Sequence, residues 1–460
     1  MYRVSWLHVF LLTLACPAAL ASKPQFEARD CAANASAAGA RCGVVFVPEN
    51  HAKPRGRKIA IHVIVLPATG PHDGKRAQYD LEGGPGFAAT DFLEFYAGEG
   101  APYRQNRDVV LADMRGTGQS NPLRCPGIEE HQQRQPDSLL YPPELVTECA
   151  GQVNAASDPR QYTTGAAARD IDLVRRALGY EQLDLNAISY GTTLALRYMA
   201  DFPKAVHAAV LMGTVPASRT PPRYHASAAQ AALERLMADC AADSACRAMG
   251  DMRANLSAAL QKVVAVMPAP VFMEKLRNHF YAPAGRVRVP YLLARAAQGD
   301  FLAFTKSTDG GRVFADGLYL SITCTESFAR IDVDAAIAGA RATTFGAYRL
   351  ERQRDACERW PKGADDPQLM RLPDSRVPVL FIAGELDSVS PADWVQEAAA
   401  HFPDGRVVRV AHGAHVFDGL SGLDTCLDAA IIRYFDNGSA RDTDTSCFAH
   451  MMPPAFGAPP

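Results

Sequence analysis

Three residues far apart in the chain have the types and settings that nucleophilic acyl chemistry needs: Ser189, Asp387 and His415. Ser189 lies in Ala187-Ile188-Ser189-Tyr190-Gly191, between an apolar run and a helical pattern. A small-x-Ser-x-Gly phrase makes a sharp strand-to-helix turn and leaves the serine Oγ exposed at the end of the strand. Ala187 stands where glycine is more usual, and a methyl group is tolerable there. A serine hydroxyl is a poor nucleophile near neutral pH. It needs a base, and the base needs an orienting carboxylate. Asp387 ends Gly384-Glu385-Leu386-Asp387, just past the apolar run VPVLFIA, with Glu385 as the competing carboxylate. His415 ends Ala411-His412-Gly413-Ala414-His415, just past RVVRV, with His412 as the competing base. Serine, then aspartate, then histidine is one of the chain orders in which this trio recurs.

A tetrahedral oxyanion needs fixed donors. The backbone N–H of Tyr190, at the start of the helix after the serine, is one candidate. The Gly84 N–H is the other, in Glu82-Gly83-Gly84-Pro85-Gly86 after the short run YDL, where glycines let the backbone face a substrate. Asp113-Met114-Arg115-Gly116 also follows a strand and reads as a brace for the surrounding loops. The first βα turn lacks G-x-G-x-x-G, so no dinucleotide site is supported. There is no CxxC pair and no zinc-finger spacing of Cys and His, so neither a metal nor an organic cofactor is expected.

These loops have to be held by strands and helices. Ile59 to Leu66 is rich in β-branched residues, and 108–113, 183–188 and 208–212 are short apolar runs suited to buried parallel strands. The pattern resumes at 377–383 and 406–410. Helical periodicity covers 165–178, stopped by Gly179, then 192–202, stopped by Pro203, and about 392–401. Alternating β and α units predict an α/β fold, a mostly parallel sheet with helices on both faces. The stretch 216–347 breaks the alternation. It is Ala-rich and helical, and reads as an inserted cap. The expected organisation is a leader at 1–21, a first core part at 22–215, the cap at 216–347 and a second core part at 348–460.

The leader has Arg3, an apolar core from Val9 to Cys16, and Ala19-Leu20-Ala21 before Ser22, the form of a cleavable export signal. Cys16 also permits the alternative of a lipidated cysteine. Of eleven cysteines, ten remain after Cys16 is removed with the leader. An even number in an exported chain implies disulfides. Sequence neighbours suggest Cys31–Cys42, Cys125–Cys149, Cys240–Cys246, Cys324–Cys357 and Cys426–Cys447, although connectivity does not strictly follow from sequence. The chain has 460 residues, 48% of them hydrophobic, and a formal net charge of -3. That balance argues against a general nucleic-acid binder. No internal apolar run reaches membrane-spanning length. Oligomeric state is not legible.

The glycine loop, Asp113-Met114-Arg115-Gly116-Thr117-Gly118-Gln119-Ser120 and the Ser189 phrase together resemble the prolyl iminopeptidase branch of the α/β-hydrolases. The secreted tripeptidyl aminopeptidase-like group is more similar still. It shares Ser189-Tyr190-Gly191-Thr192-Thr193, Ile322-Thr323-Cys324-Thr325-Glu326, Cys357 followed by Trp360-Pro361, and a C-terminal cysteine pair, Cys426 and Cys447, flanking Asn437-Gly438. The resemblance implies an α/β-hydrolase fold with a helical cap, an exported serine aminopeptidase acting on peptides, and an acidic residue for the substrate α-ammonium. Glu326 and Glu82 are the candidates for that residue. Glu82 stands where prolyl iminopeptidases carry His, which argues against strict proline specificity. The same trio would equally serve a carboxylic-ester hydrolase, and a non-enzymatic scaffold on this fold is the third reading.

Overall fold

The computed structural model describes residues 24–135, 137–305 and 312–457. The leader, with Cys16, lies outside the described residues. Nine strands form one sheet in the order β1-β2-β3-β5-β4-β6-β7-β8-β9. They are β1 (Phe26–Arg29), β2 (Arg41–Pro48), β3 (Lys58–Leu66), β4 (Arg76–Leu81), β5 (Asp108–Ala112), β6 (Gln182–Ile188), β7 (Val206–Met212), β8 (Val379–Gly384) and β9 (Arg406–Val410). The first three strands and the β3–β5 contact are antiparallel, and from β5 to β9 every pairing is parallel.

The sheet is buried on both faces. Along β3, Val63 and Val65 enter one core with Leu183, Leu185 and Ala187 of β6. Ile64 and Leu66 enter the other, with Val210 of β7 and Ile382 of β8. This is the period-two alternation of a strand. The first face is covered by helix Thr164–Leu178, whose Ile171 and Val174 are buried, and by helix Tyr190–Asp201. The Thr163 side chain caps the first of these by accepting from Ala166 N–H, and Gly179 ends it at φ +88°. The amphipathic helix Ala429–Asn437 covers the second face. It was not expected from the sequence.

Among the described residues no strand lies between β7 and β8. Helices His225–Ala242, Met252–Val263, Ala269–Asn278 and Val289–Ala297 share a separate core around Leu233, Phe272 and Phe280. The expected cap span of 216–347 is not uniform. Leu318, Leu320 and Ile322 of helix Asp316–Ile322 join the core of the sheet instead. Five disulfides join Cys31–Cys42, Cys125–Cys149, Cys240–Cys246, Cys324–Cys357 and Cys426–Cys447. No helix among the described residues is long and apolar enough to cross a membrane.

Candidate active site

The turn from β6 into helix Tyr190–Asp201 passes through Ser189 at φ +56°, ψ −127°. A non-glycine residue pays roughly 1–3 kcal/mol in such a region and stays there only when its surroundings fix it. Ser189 N–H donates to Met212 O at 3.0 Å, and Thr192 Oγ1 donates to Ser189 O at 2.6 Å. Thr192 Oγ1 also accepts from Val215 N–H, which ties the turn to the segment after β7. Gly191 is required by space: a Cβ there would lie 2.0 Å from Leu81 O.

β6, β8 and β9 run in the same direction, so the segments after them emerge at one sheet edge. There the three widely separated residues meet. His415 Nε2 lies 2.9 Å from Ser189 Oγ, and His415 Nδ1 lies 2.9 Å from Asp387 Oδ2. With Nδ1–H donating to the carboxylate, Nε2 is left to accept from the serine. His415 is buried. Gly213 packs on its ring, where a Cβ would approach Cε1 at 3.0 Å, and Tyr281 meets it edge-to-face at 5.5 Å. Glu385 instead faces Arg235 at 3.9 Å, and among the described residues the hydrogen bonds of this chain run through His415 and not His412.

Asp387 is held by a residue the sequence reading missed. Its Oδ1 accepts from the Val389 and Ser390 N–H groups at 2.7 and 2.8 Å. Its Oδ2 accepts from Ser390 Oγ at 2.8 Å, and that hydroxyl lies 3.1 Å from His415 Nδ1. The only sequence signal for Ser390 was a small hydroxyl three residues beyond the carboxylate.

The glycine loop lies directly against the serine. A Cβ on Gly83 would come within 3.0 Å of Ser189 Cβ. Gly84 and Gly86 have φ of +112° and +150°, and the Phe314 ring packs where their side chains would be. The Gly84–Pro85 bond is cis. Tyr190 begins its helix, so its N–H has no preceding turn to bond. Its phenol points inward and shares a 2.7 Å hydrogen bond with Thr164 Oγ1.

Of the two candidate ammonium holders, Glu326 is occupied within the fold. Its Oε1 accepts from Thr164 N–H at 2.7 Å and its Oε2 from Thr164 Oγ1 at 2.5 Å. It braces the helix behind Tyr190, and burial pushes its carboxyl up to about 7 against the Thr164 hydrogen bonds. Glu82 lies at the glycine loop and pairs with Arg312 at 3.0 Å. Burial raises its carboxyl to about 7 even though Arg312 pulls the other way. Asp113 and Arg115 act as braces. Asp113 accepts from Thr90 and from Gln119 N–H, and Arg115 forms a two-pronged pair with Asp170 at 2.6 and 2.7 Å. Among the described residues no group of three or more His, Cys, Asp or Glu side chains could hold a metal ion.

The geometry can carry acyl transfer through a serine nucleophile. Comparison with known proteins agrees at the level of the fold. Residues 81–417 match the family described as the alpha/beta hydrolase fold. A tripeptidyl aminopeptidase of Streptomyces coelicolor is 26% identical, over 95% of this chain and 89% of the relative. Carboxylesterase B of Mycobacterium tuberculosis is 27% identical, over 89% of this chain and 86% of the relative. A solved proline iminopeptidase from Mycobacterium smegmatis is 17% identical, covers 86% of this chain and 98% of its own, and superposes with a TM-score of 0.43.

Proposed function

The chain belongs to the alpha/beta hydrolase family, and from that premise we propose that it is an exported serine aminopeptidase. It would cleave peptide bonds near a free N-terminus through an acyl-enzyme. The observation that carries this reading is the continuous hydrogen-bonded chain from Ser189 Oγ through His415 to Asp387.

In the proposed mechanism His415 Nε2 takes the proton of Ser189 as Oγ attacks the scissile carbonyl. Asp387 keeps the imidazole in the required tautomer and stabilises the imidazolium that forms. The Tyr190 and Gly84 N–H groups receive the developing oxyanion, a role worth about 10²–10³ in rate per donor in comparable sites. His415 then gives its proton to the leaving amine, and water, activated by the same base, releases the acyl group. No cofactor takes part in this scheme. Glu82, beside the glycine loop, is the remaining candidate for the α-ammonium, which would have to compete with Arg312 for it.

The peptidase reading is supported by the similarity to the tripeptidyl aminopeptidase across nearly the whole of both chains. Export is supported by the five disulfides together with the leader-like N-terminal sequence. The similarity to a carboxylesterase keeps a carboxylic-ester hydrolase as the second reading. A panel of peptidyl-coumarin substrates, free and N-acetylated, run beside p-nitrophenyl esters separates the two. The aminopeptidase reading expects hydrolysis of the free peptides and a large loss on acetylation. Turnover of esters alone would overturn it.

A further inference from the structure

Two helices of the layer over the site bring Glu274, Arg277 and Arg349 together, from Ala269–Asn278 and Tyr348–Arg359. Glu274 Oε1 accepts from Arg277 Nη2 at 2.6 Å and from Arg349 Nε at 2.8 Å, with Arg349 Nη2 closer still. Glu274 Oε2 accepts from Arg277 Nε at 3.2 Å. Burial pushes the Glu274 carboxyl up, but the two guanidiniums outweigh burial and hold it well below the usual carboxylate range. One carboxylate therefore meets two permanent cations, which leaves one positive charge in excess within the trio.

Arg277, one of the two cations, lies one aromatic ring from the reaction centre. Arg277 stacks over Tyr281 at 5.3 Å and donates from Nη1 to its hydroxyl at 3.1 Å. Tyr281 in turn meets His415 edge-to-face at 5.5 Å, and its carbonyl accepts from Val416 N–H. Arg277 is sealed, with 3% of its side chain exposed, whereas Arg349 keeps 20%. His225 borders the same space: burial first, then Arg277 and Arg349, and also His415, disfavour its charged form. Its Nδ1 is buried and has no hydrogen-bond partner among the described residues. Asp316, a further carboxylate of this region, is buried and bonds the Tyr141 hydroxyl.

We propose that Arg349, backed by Arg277, forms a carboxylate-binding subsite over the Ser189–His415 centre. It would receive either the C-terminal α-carboxylate of a short peptide or an acidic side chain of the substrate. A guanidinium in a partly desolvated site binds a carboxylate through charge-assisted bonds of fixed geometry. An ammonium brought there would face two guanidiniums, with the Glu274 carboxylate already bonded to both and Asp316 bonded to Tyr141. This subsite rests on the serine-hydrolase reading but not on the aminopeptidase one.

The test uses substrate pairs that differ only by carboxylate against carboxamide. One pair is a short peptide with a free-acid or amidated C-terminus. A second exchanges Glu for Gln inside an amidated peptide. A third is the p-nitrophenyl ester of adipic acid against that of its monoamide. The expected result is a kcat/KM ratio of about tenfold or more in favour of the carboxylate in at least one pair. Arg349→Met should bring that ratio close to one, by loss of rate on the carboxylate member. The first two pairs distinguish a chain terminus from a side chain as the source. The ester pair still reads the subsite if peptides are not cleaved at all, a result that would sink the aminopeptidase reading alone. Should Arg349→Met fail to fold, Arg349→Gln carries the same comparison, because it keeps a donor toward Glu274. A wild-type ratio near one in all three pairs overturns the proposal. So does a substitution that slows both members of a pair equally.

Discussion

Ser390 Oγ donates to Asp387 Oδ2 at 2.8 Å from a position three residues along the same turn, and so fixes the carboxylate that faces His415. Two backbone N–H groups hold the other oxygen. The turn and the carboxylate therefore form one rigid unit. In the proposed mechanism Ser390 is a positioning residue, since it acts on the base through Asp387. Ser390→Ala is expected to lower kcat by about 10–100-fold, in line with losses from misplaced catalytic geometry, and to leave KM nearly unchanged. Ser390→Thr should restore much of the rate, because the hydroxyl returns. Steady-state kinetics on all three proteins checks this. A normal kcat in the alanine variant would remove Ser390 from the assembly.

Gly83 tests how closely the glycine loop is fitted to the nucleophile. Its φ is not in the left-handed region, so alanine is acceptable to the backbone. The added Cβ would meet Ser189 Cβ at 3.0 Å and Oγ at 3.4 Å, while the serine backbone is pinned to Met212 and Thr192. Gly83→Ala is expected to slow labelling of Ser189 by a fluorophosphonate about tenfold or more, with little change in melting temperature. Ser189→Ala should abolish labelling. Unimpaired labelling of Gly83→Ala would mean that the loop yields freely, against a close fit.

The bond between Cys324 and Cys357 joins the turn after helix Asp316–Ile322 to helix Tyr348–Arg359, across a separation of 33 residues. Glu326 and Arg349 lie on the two sides of this link. Loop-closure entropy assigns a bridge of that span about 3–4 kcal/mol. The Cys324→Ser/Cys357→Ser pair is expected to lose about that much stability in chemical denaturation. A loss below about 1 kcal/mol would show that the packing of these helices holds the link without the bond.

How much of this was legible in the sequence depended on where each signal was written. Buried parallel strands appear as apolar runs, nearly unbroken in β5, β7 and β8 and interrupted by Asp184 and Asn186 in β6 and by Arg409 in β9, so β5 to β9 stood out, with bounds shifted by a residue or two. β4 was harder to see, because Arg76, Gln78 and Asp80 leave only Ala77, Tyr79 and Leu81 as its apolar residues. Gln78 and Asp80 are buried and find their partners in Tyr96 and Asn186, which lie elsewhere in the chain. The residues of the proposed triad could be read because each sits in a local phrase. Ser390 could not, since a serine before proline has many uses. Nor could the Glu274–Arg349 pair, whose partners are 75 residues apart and meet only when the helical layer folds. Glu326 sat in a readable phrase that the family resemblance offered for the substrate ammonium, while its bonds to Thr164, 162 residues away, could not be read from the chain.

That engagement gives Glu326 a measurable pH signature. Its carboxyl titrates at about 7 in the folded protein against an ordinary 4.5. Burial is the largest cause, the Thr164 hydrogen bonds and Arg330 oppose it, and Asp366 adds to it. Between those two values the folded chain holds a proton that the unfolded chain has already released. Stability from this group is therefore complete below about pH 4.5 and is lost as the pH rises through 7, by at most about 3 kcal/mol. Glu82 and Asp80, raised by burial to about 7 and about 6, slope the same way, so the wild-type curve alone cannot isolate Glu326. Glu326→Gln can. The amide oxygen still accepts from Thr164 N–H, the amide nitrogen can donate to Thr164 Oγ1, and no proton is exchanged. The melting temperature of the variant relative to wild type should rise between pH 5 and about pH 7 and level off above it. A difference that stays constant across that window would assign the titration elsewhere and leave Glu326 charged in the folded protein.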